Sequence, residues 1–240
     1  MKLVVKILIS DFDNTFFTDN IKNNIKLVNS FMKEGNIFVI ATGRPLYLLK
    51  PELIKLNIKY NYLICNDGAV IFDENDQIID KTNIDYVSAV QIYNLLKRNS
   101  DIRHVYIDAI YDFGDLDVEN FNGVLAMPYF DSDADDLIKD ICKRFPTIQG
   151  YKSHKWINIL SASANKGNAI KFLEVKNDWK ESDIYVIGDN KNDISMTIYE
   201  NSYGVKAGNK EFLSKCNYQV DEFKDLIEKL LIKPKQNTKK

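Results

Sequence analysis

An apolar run that stops in two carboxylates constrains this chain more than any other feature: Leu8-Ile9-Ser10-Asp11-Phe12-Asp13-Asn14-Thr15. Leu3 to Ile9 is rich in Val, Ile and Leu, the composition of a strand buried on both faces, and such strands belong to parallel sheets covered by helices. In an open α/β sheet ligands bind outside the carboxyl ends of the strands, which is where the two aspartates fall. Two apart on an extended chain, Asp11 and Asp13 point the same way unless the turn beginning there rotates them. By itself the pair is weak evidence, because surface Asp pairs are common and solvated.

The pattern recurs along the chain. Asn20 to Lys33 carries apolar residues at Ile21, Ile25, Leu27, Val28, Phe31 and Met32, an amphipathic helix that Gly35 closes. Asn36 to Ala41 reads as a second apolar strand, ending in Thr42-Gly43-Arg44-Pro45, where Pro45 suits the first turn of a helix. Asn61 to Cys65 reads as a third, ending in Asn66-Asp67-Gly68-Ala69, and Ala69 to Asp80 as a hairpin turning at Glu74-Asn75-Asp76. This is the alternation of a doubly wound parallel sheet in an α/β fold. From Lys81 the rhythm changes: a helix over 83–98, strands over 103–111 and 123–130, a helix over 132–145 and a strand over 155–160. The expectation is an α+β domain over 81–159 inserted into a core formed by 1–80 and 160–232. The alternation resumes with a helix over 166–175 and a strand over 183–187 that runs into Gly188-Asp189-Asn190-Lys191-Asn192-Asp193. A helix through Glu200, a short strand near Tyr203 to Val205, Gly208-Asn209 and a helix over 221–232 complete the core. The polar tail 233–240 is expected to be disordered.

A net charge of −2 and a pI near 5.8 argue against a dedicated nucleic-acid or anionic-membrane binder, which needs a basic face. Cys65, Cys142 and Cys216 are odd in number and widely spaced, so neither a disulfide framework nor a zinc cluster is indicated. No segment reaches the length of a membrane span, and a cytoplasmic protein is expected, monomeric or a small homo-oligomer. Neither GxGxxG nor GxxxxGK[ST] occurs.

Three strand ends therefore carry groups suited to phosphate chemistry: Asp11 with Asp13, then Thr42, then Asp189 with Asp193, and Lys166 opens a helix between the last two sets. Four carboxylates converging on one crevice repel one another, raise some carboxyl pKa values, and are relieved by a divalent cation. Oxygen-only ligands favour Mg²⁺ over zinc. An Asp carboxylate can attack phosphorus as a nucleophile. The Lys166 ammonium, the Thr42 hydroxyl and backbone N–H groups would hold the phosphoryl oxygens. Asp13, close by, could protonate the leaving oxygen and later accept a proton from water.

The set Asp11-Phe12-Asp13-Asn14-Thr15, Thr42-Gly43-Arg44, Lys166-Gly167 and Gly188-Asp189-Asn190-Lys191-Asn192-Asp193 resembles the four ordered motifs of the haloacid dehalogenase (HAD) superfamily. Asn66-Asp67-Gly68-Ala69, Gly204-Val205 with Gly208-Asn209, and the insert between the second and third motifs resemble its Cof-type subgroup with a C2 cap. The resemblance implies a Mg²⁺-dependent phosphatase of a small phosphorylated metabolite, a sugar phosphate, acting through an aspartyl-phosphate. It implies Asp11 as nucleophile and Asp13 as general acid/base, with Thr42, Gly43, Arg44, Lys166 and Asn192 toward the phosphate. Mg²⁺ would be held by Asp11, Asp13 through its carbonyl, Asp189 and Asp193, with Asn192 and Asp193 completing the metal shell or orienting Lys166. Arg44, Asn66 and Asn209 match subgroup positions with supporting roles. The family's usual fourth residue of the first motif is Gly; here it is Asn14, tolerable at positive φ. Alternatives that keep the chemistry are a phosphotransferase or sugar phosphomutase; a non-catalytic sugar-phosphate-binding regulator is an alternative of another class.

Other features have plainer readings. Asp73, Asp76 and Asp80 read as solvated turn residues, and Asp108, Asp112, Asp115, Asp117 and Glu119 as a solvated surface of the insert lacking EF-hand spacing. His104 and His154 stand alone. Tyr106, Tyr111, Tyr129, Tyr151 and Trp156 read as core, with one or two able to face a crevice and stack on a sugar ring. Lys152, His154 and Lys155, near the return from the insert to the core, read as exposed charges, with the alternative that they meet an anionic substrate.

Overall fold

The computed structural model describes residues 4–110, 113–114, 121–128, 134–153 and 155–232. Strand β1 (Ile7–Asp11) lies at the centre of an eight-stranded sheet and pairs in parallel with β2 (Ile37–Ala41) on one side and β11 (Ile184–Gly188) on the other. Outward from β2 come β3 (Tyr62–Cys65), β4 (Val70–Asp73) and β5 (Ile78–Lys81); outward from β11 come β12 (Asn201–Val205) and β13 (Tyr218–Val220). All pairings are parallel except those of β4, with β3 and with β5, which form the expected hairpin at one edge.

The continuous apolar strands are explained by burial on both sides. In β1, Leu8 enters one core while Ile7 and Ile9 enter another; in β2, Phe38 and Ile40 oppose Val39 and Ala41 in the same way. Helices α1 (Ile21–Lys33) and α6 (Phe223–Leu231) cover the first face with Val28, Phe31, Leu226 and Ile227, where α2 (Leu46–Leu56) adds Leu49 and Leu53. Helix α5 (Lys166–Lys176) covers the second with Ala169, Ile170 and Leu173. An aromatic cluster anchors the first face: Phe16 lies 5.3 Å from Phe38 and 5.2 Å from Phe223 between ring centroids.

Between β5 and α5 the chain builds a second sheet, with strand order β7 (Phe113–Gly114), β6 (Ile102–Ala109), β8 (Phe121–Pro128), β10 (Trp156–Ser161), β9 (Ile148–Ser153). Helices α3 (Tyr86–Lys97) and α4 (Ala134–Arg144) pack on one of its faces, burying Ala89, Ile92, Leu96 and Ile141 against Val105, Ile107, Val124 and Ile157. Alternation along β6 therefore turns Tyr106 and Asp108 to the other face. The α/β class, the doubly wound sheet and the α+β insert are as the sequence leads one to expect.

Three strands carry no clear sequence signal. β9 reads Ile-Gln-Gly-Tyr-Lys-Ser and β13 Tyr-Gln-Val, each at the end of its sheet, and β7 has two residues. An edge strand has one neighbour and little to bury, so it lacks the apolar density that marks a central one. The helix expected after Asp193 is instead a 3-10 helix, Lys191–Ile198. The tail from 233 lies outside the described residues.

Phe38→Ala removes a fully buried ring from the aromatic cluster, and urea unfolding should show a loss of about 3–5 kcal/mol with little change in the m-value.

Candidate active site

The first motif turns sharply where β1 ends. The Phe16 amide donates to the Asp11 carbonyl at 3.3 Å and the Phe17 amide to the Phe12 carbonyl at 2.7 Å, with Asn14 at φ +61°. Asn is among the few non-glycine residues that accept this region at low cost, so the turn is formed without glycine. The turn rotates the two aspartates apart. Asp11 is buried and faces Lys166, whereas Asp13 is gripped by Arg44, whose Nε and Nη2 donate at 2.8 and 2.5 Å. The guanidinium also lies over the Phe12 ring at 5.2 Å.

Lys166, first residue of α5, has a fully buried side chain, and its Nζ donates to Asp11 Oδ1 and to Asp193 Oδ1, both at 2.6 Å. Neighbouring loops lock it in place. Asn165 caps α5 by accepting from the Asn168 amide at 2.8 Å. A Cβ on Gly167 would lie 2.2 Å from the Ser195 carbonyl oxygen, and one on Gly68, at φ +100°, would lie 2.2 Å from that of Asn165. Only glycine permits these approaches.

Asp193 is fully buried, and its second oxygen accepts the amides of Asp189 and Asn190 at 2.9 and 3.0 Å. It therefore ties Lys166 to the loop after β11. Asp189 accepts from the Thr15 hydroxyl at 3.2 Å, and the Asn209 amide donates to its carbonyl at 2.6 Å. Asp11, Asp189 and Asp193 each offer an oxygen within 4.8 Å of the others. Thr42 is buried where β2 ends, and its hydroxyl accepts the Arg44 amide at 3.1 Å. These groups lie at or beneath the floor of a cavity of about 560 Å³ between the two sheets, lined also by Gly43, Arg44 and Asn192.

Comparison with known proteins decides the lineage. A model of the haloacid dehalogenase-like hydrolases matches residues 8–111 and 105–225. The chain belongs to this family. A protein of Mycoplasma capricolum described as uncharacterized is 32% identical over 91% of this chain and 97% of its own length. YxeH of Bacillus subtilis, provisionally named a phosphatase, is 22% identical over 90% of this chain and 92% of its own. In structure, a haloacid dehalogenase-like hydrolase from B. subtilis superposes with a TM-score of 0.80 at 16% identity, covering 95% of this chain and 100% of that one. A HAD/Cof-like hydrolase from Plasmodium vivax gives 0.80 at 16%, covering 94% and 95%. The protein is thus a HAD-like hydrolase with the Cof-type fold.

The electrostatics of this HAD-like site follow from burial. Desolvation raises the Asp11 pKa well above the usual carboxylate range although Lys166 pulls it down, and with the Asp193 charge it lifts Asp189 to about 6. Burial alone would lower the Lys166 ammonium, but the Asp11 and Asp193 charges outweigh it and hold the pKa above its ordinary value. When ionised, the three carboxylates outweigh the single ammonium in charge. An all-oxygen donor set with that excess fits a hard divalent cation such as Mg²⁺.

Several residues sit differently from their sequence reading. Asp108, expected on a solvated surface, is buried against the core, accepting from Tyr47 Oη at 3.3 Å and from Asn66 Nδ2, and burial raises its pKa to about 7. Its sequence neighbours Asp112, Asp115, Asp117 and Glu119 lie outside the described residues, as do Tyr111, Tyr129 and His154. Tyr151 donates its hydroxyl to Asp67 Oδ2, while Asn192 Nδ2 donates to Asp67 Oδ1 at 2.9 Å, so Asn192 braces the loop after β3 rather than Lys166. Trp156 lines the cavity; Lys152 and Lys155 are exposed. Asp76 is more than a turn residue, pairing with Lys50 at 2.5 Å and accepting from Tyr60 at 2.7 Å. Thr15 and Asp67 stand inside the motifs, where the resemblance implies no role for them, and Tyr47 carries no sequence signal beyond its nearness to Thr42-Gly43-Arg44.

Lys166→Met strands two buried carboxylates. The variant should lose about 3 kcal/mol in urea unfolding at pH 7 and less at pH 5, where protonation relieves the repulsion. Asp108 generates a pH effect of defined sign. Its folded pKa of about 7 exceeds the unfolded value near 3.8, so the folded form keeps a proton the unfolded form has lost, and stability declines as pH rises from about 4 to 7. Asp108→Asn abolishes that decline, so its stability relative to the parent should improve by about 2 kcal/mol between pH 5 and pH 8.

Proposed function

We propose that this HAD-like hydrolase is a Mg²⁺-dependent phosphomonoesterase acting on a small phosphorylated metabolite, a sugar phosphate, through an aspartyl-phosphate at Asp11. The observation that carries the reading is the buried Lys166 held at 2.6 Å from both Asp11 and Asp193, with Asp189 beside them at the floor of the cavity. The provisional phosphatase names of the B. subtilis relative and of one from Haemophilus influenzae support it.

Lys166 fixes one Asp11 oxygen and leaves the other to attack phosphorus, so the nucleophile is aimed before substrate arrives. As the Asp11–phosphorus bond forms, the bond from phosphorus to the ester oxygen breaks. Asp13 gives that oxygen a proton, takes one back from the water that next attacks phosphorus, and phosphate leaves as Asp11 is restored. Arg44 holds both Asp13 oxygens in this structure, so the proton relay requires that pair to open, which frees the guanidinium for a phosphoryl oxygen. The Thr42 hydroxyl and Lys166 hold the remaining oxygens. Asp11, the Asp13 carbonyl and Asp189 would hold Mg²⁺, with Asp193 positioning Lys166. The cation would neutralise charge on the transferring phosphoryl group. The insert over 81–159 acts as the cap, closing the cavity against water.

Release of inorganic phosphate from an aryl phosphate should require Mg²⁺, stop with a chelator, and fall by at least about 10³-fold in Asp11→Asn while near-UV circular dichroism stays unchanged. Activity near the parent level in that variant excludes the mechanism.

A further inference from the structure

The side of the cavity formed by α2 and the insert has a charge pattern of its own. It is walled by Tyr47 and Leu48 of α2 and by Asp108, Leu125, Trp156 and Asn158 of the insert. The insert residues share one sheet face, since Tyr106 pairs with Leu125, Leu125 with Asn158, and Asn158 with Tyr151 across four strands. Tyr106 extends the aromatic surface, 5.8 Å from Trp156 between centroids.

Among the described residues lining the whole cavity, the carboxylates are Asp11, Asp13, Asp108 and Asp189, and the one cation is Arg44, already paired with Asp13 at the phosphoryl end. In sequence, the part of the insert outside the described residues is acidic: it contains Asp112, Asp115, Asp117, Glu119, Asp131 and Asp133, with His154 as its one basic residue. Above pH 7, where Asp108 is ionised, a second phosphate or a carboxylate on the ligand would therefore meet its charge with no cation free among the described lining residues to balance it. A hydroxyl or an ammonium would instead find an acceptor. The Asp108 carboxylate accepts two hydrogen bonds from the protein and has capacity for about two more. Asn158 adds an amide, and Trp156 a ring able to face a sugar or a cation.

Building on the phosphatase reading for the phosphoryl end alone, we infer that the cavity selects phosphate esters whose alcohol part is uncharged or cationic, rich in hydroxyls or bearing an amine, and rejects those with a second anionic group. Asp108 is the residue that sets this preference.

The test is a series of aryl phosphates on one ring: phenyl phosphate, its 4-aminomethyl derivative and its 4-carboxy derivative, assayed for kcat/KM with Mg²⁺ at a pH of about 8.5, above the point where Asp108 ionises. The carboxy ester should fall at least about tenfold below the other two. Asp108→Asn should shrink the ratio of amino to carboxy ester, and Asn158→Lys, at a position outside the catalytic set, should raise the carboxy ester. Equal rates across the series, or a ratio that neither variant moves, overturns the inference. If Asp108→Asn does not fold, Asn158→Lys decides alone. If none of the three esters is turned over, the phosphatase reading has failed. Calorimetric affinities of the same esters then judge the charge preference by itself: weakest binding of the carboxy ester upholds it, and equal binding refutes it.

Discussion

A lysine ammonium fully removed from solvent keeps its charge only if anions surround it, and much of this structure is arranged to supply them to Lys166. Asp11 comes from the end of the central strand, Asp193 from the 3-10 helix after β11, and the lysine itself from the start of α5. Removing Lys166 strands two buried carboxylates, and removing either aspartate leaves the ammonium with one anion in place of two, so the three segments are held together by a shared electrostatic requirement as well as by packing. The close approaches at Gly68 and Gly167 follow from the same need, since both bring backbone against the start of the lysine helix or the residue before it.

A charged cluster in low dielectric is a reservoir as well as a cost. Burial first, and then the charge of Asp193, keep Asp11 and Asp189 protonated further up the pH scale than free side chains would be, against the pull of Lys166. The protein can lower that strain by binding a divalent cation, by protonation, or by moving charge onto a ligand, and each of these is a step that a phosphoryl-transfer site uses. The site is thus poised by its own repulsion, while the hydrophobic cores on the two faces of the sheet supply the stability that tolerates it.

Side-chain ties run from the helix-free face of the insert to the strand-end loops: Asp108 to Asn66 and Tyr47, and Tyr151 to Asp67, which Asn192 also braces. The loop after β3, with three consecutive residues at positive φ, stands at the crossing of both. It carries one tie on Asn66 and the other on Asp67, so the position of the insert is felt directly by the residues beside Thr42 and Asp193. The cavity exists because the helix-free face of the small sheet is turned toward the strand ends of the large one.

What the sequence by itself determined was whatever depends on periodicity and local turn chemistry. Runs buried on both faces marked β1, β2, β3 and β11, and the polar residues ending them marked one edge of one sheet, because a parallel sheet aligns its carboxyl ends. The positive φ at Asn14 was suggested only by the resemblance, whose first motif carries glycine at that place. Only the tertiary structure decided the rest. The separation of Asp13 from Asp11 depends on a turn whose rotation no spacing encodes, and on an arginine 31 positions away. Asp108 reads as one member of an acidic surface stretch, yet alternation along β6 and the docking of the insert bury it against Asn66, 42 residues distant. Edge strands β9 and β13 bury too little to leave a signal. A local pattern states which face a side chain takes; which partner that face meets is set by loop closure and packing between segments far apart in the chain.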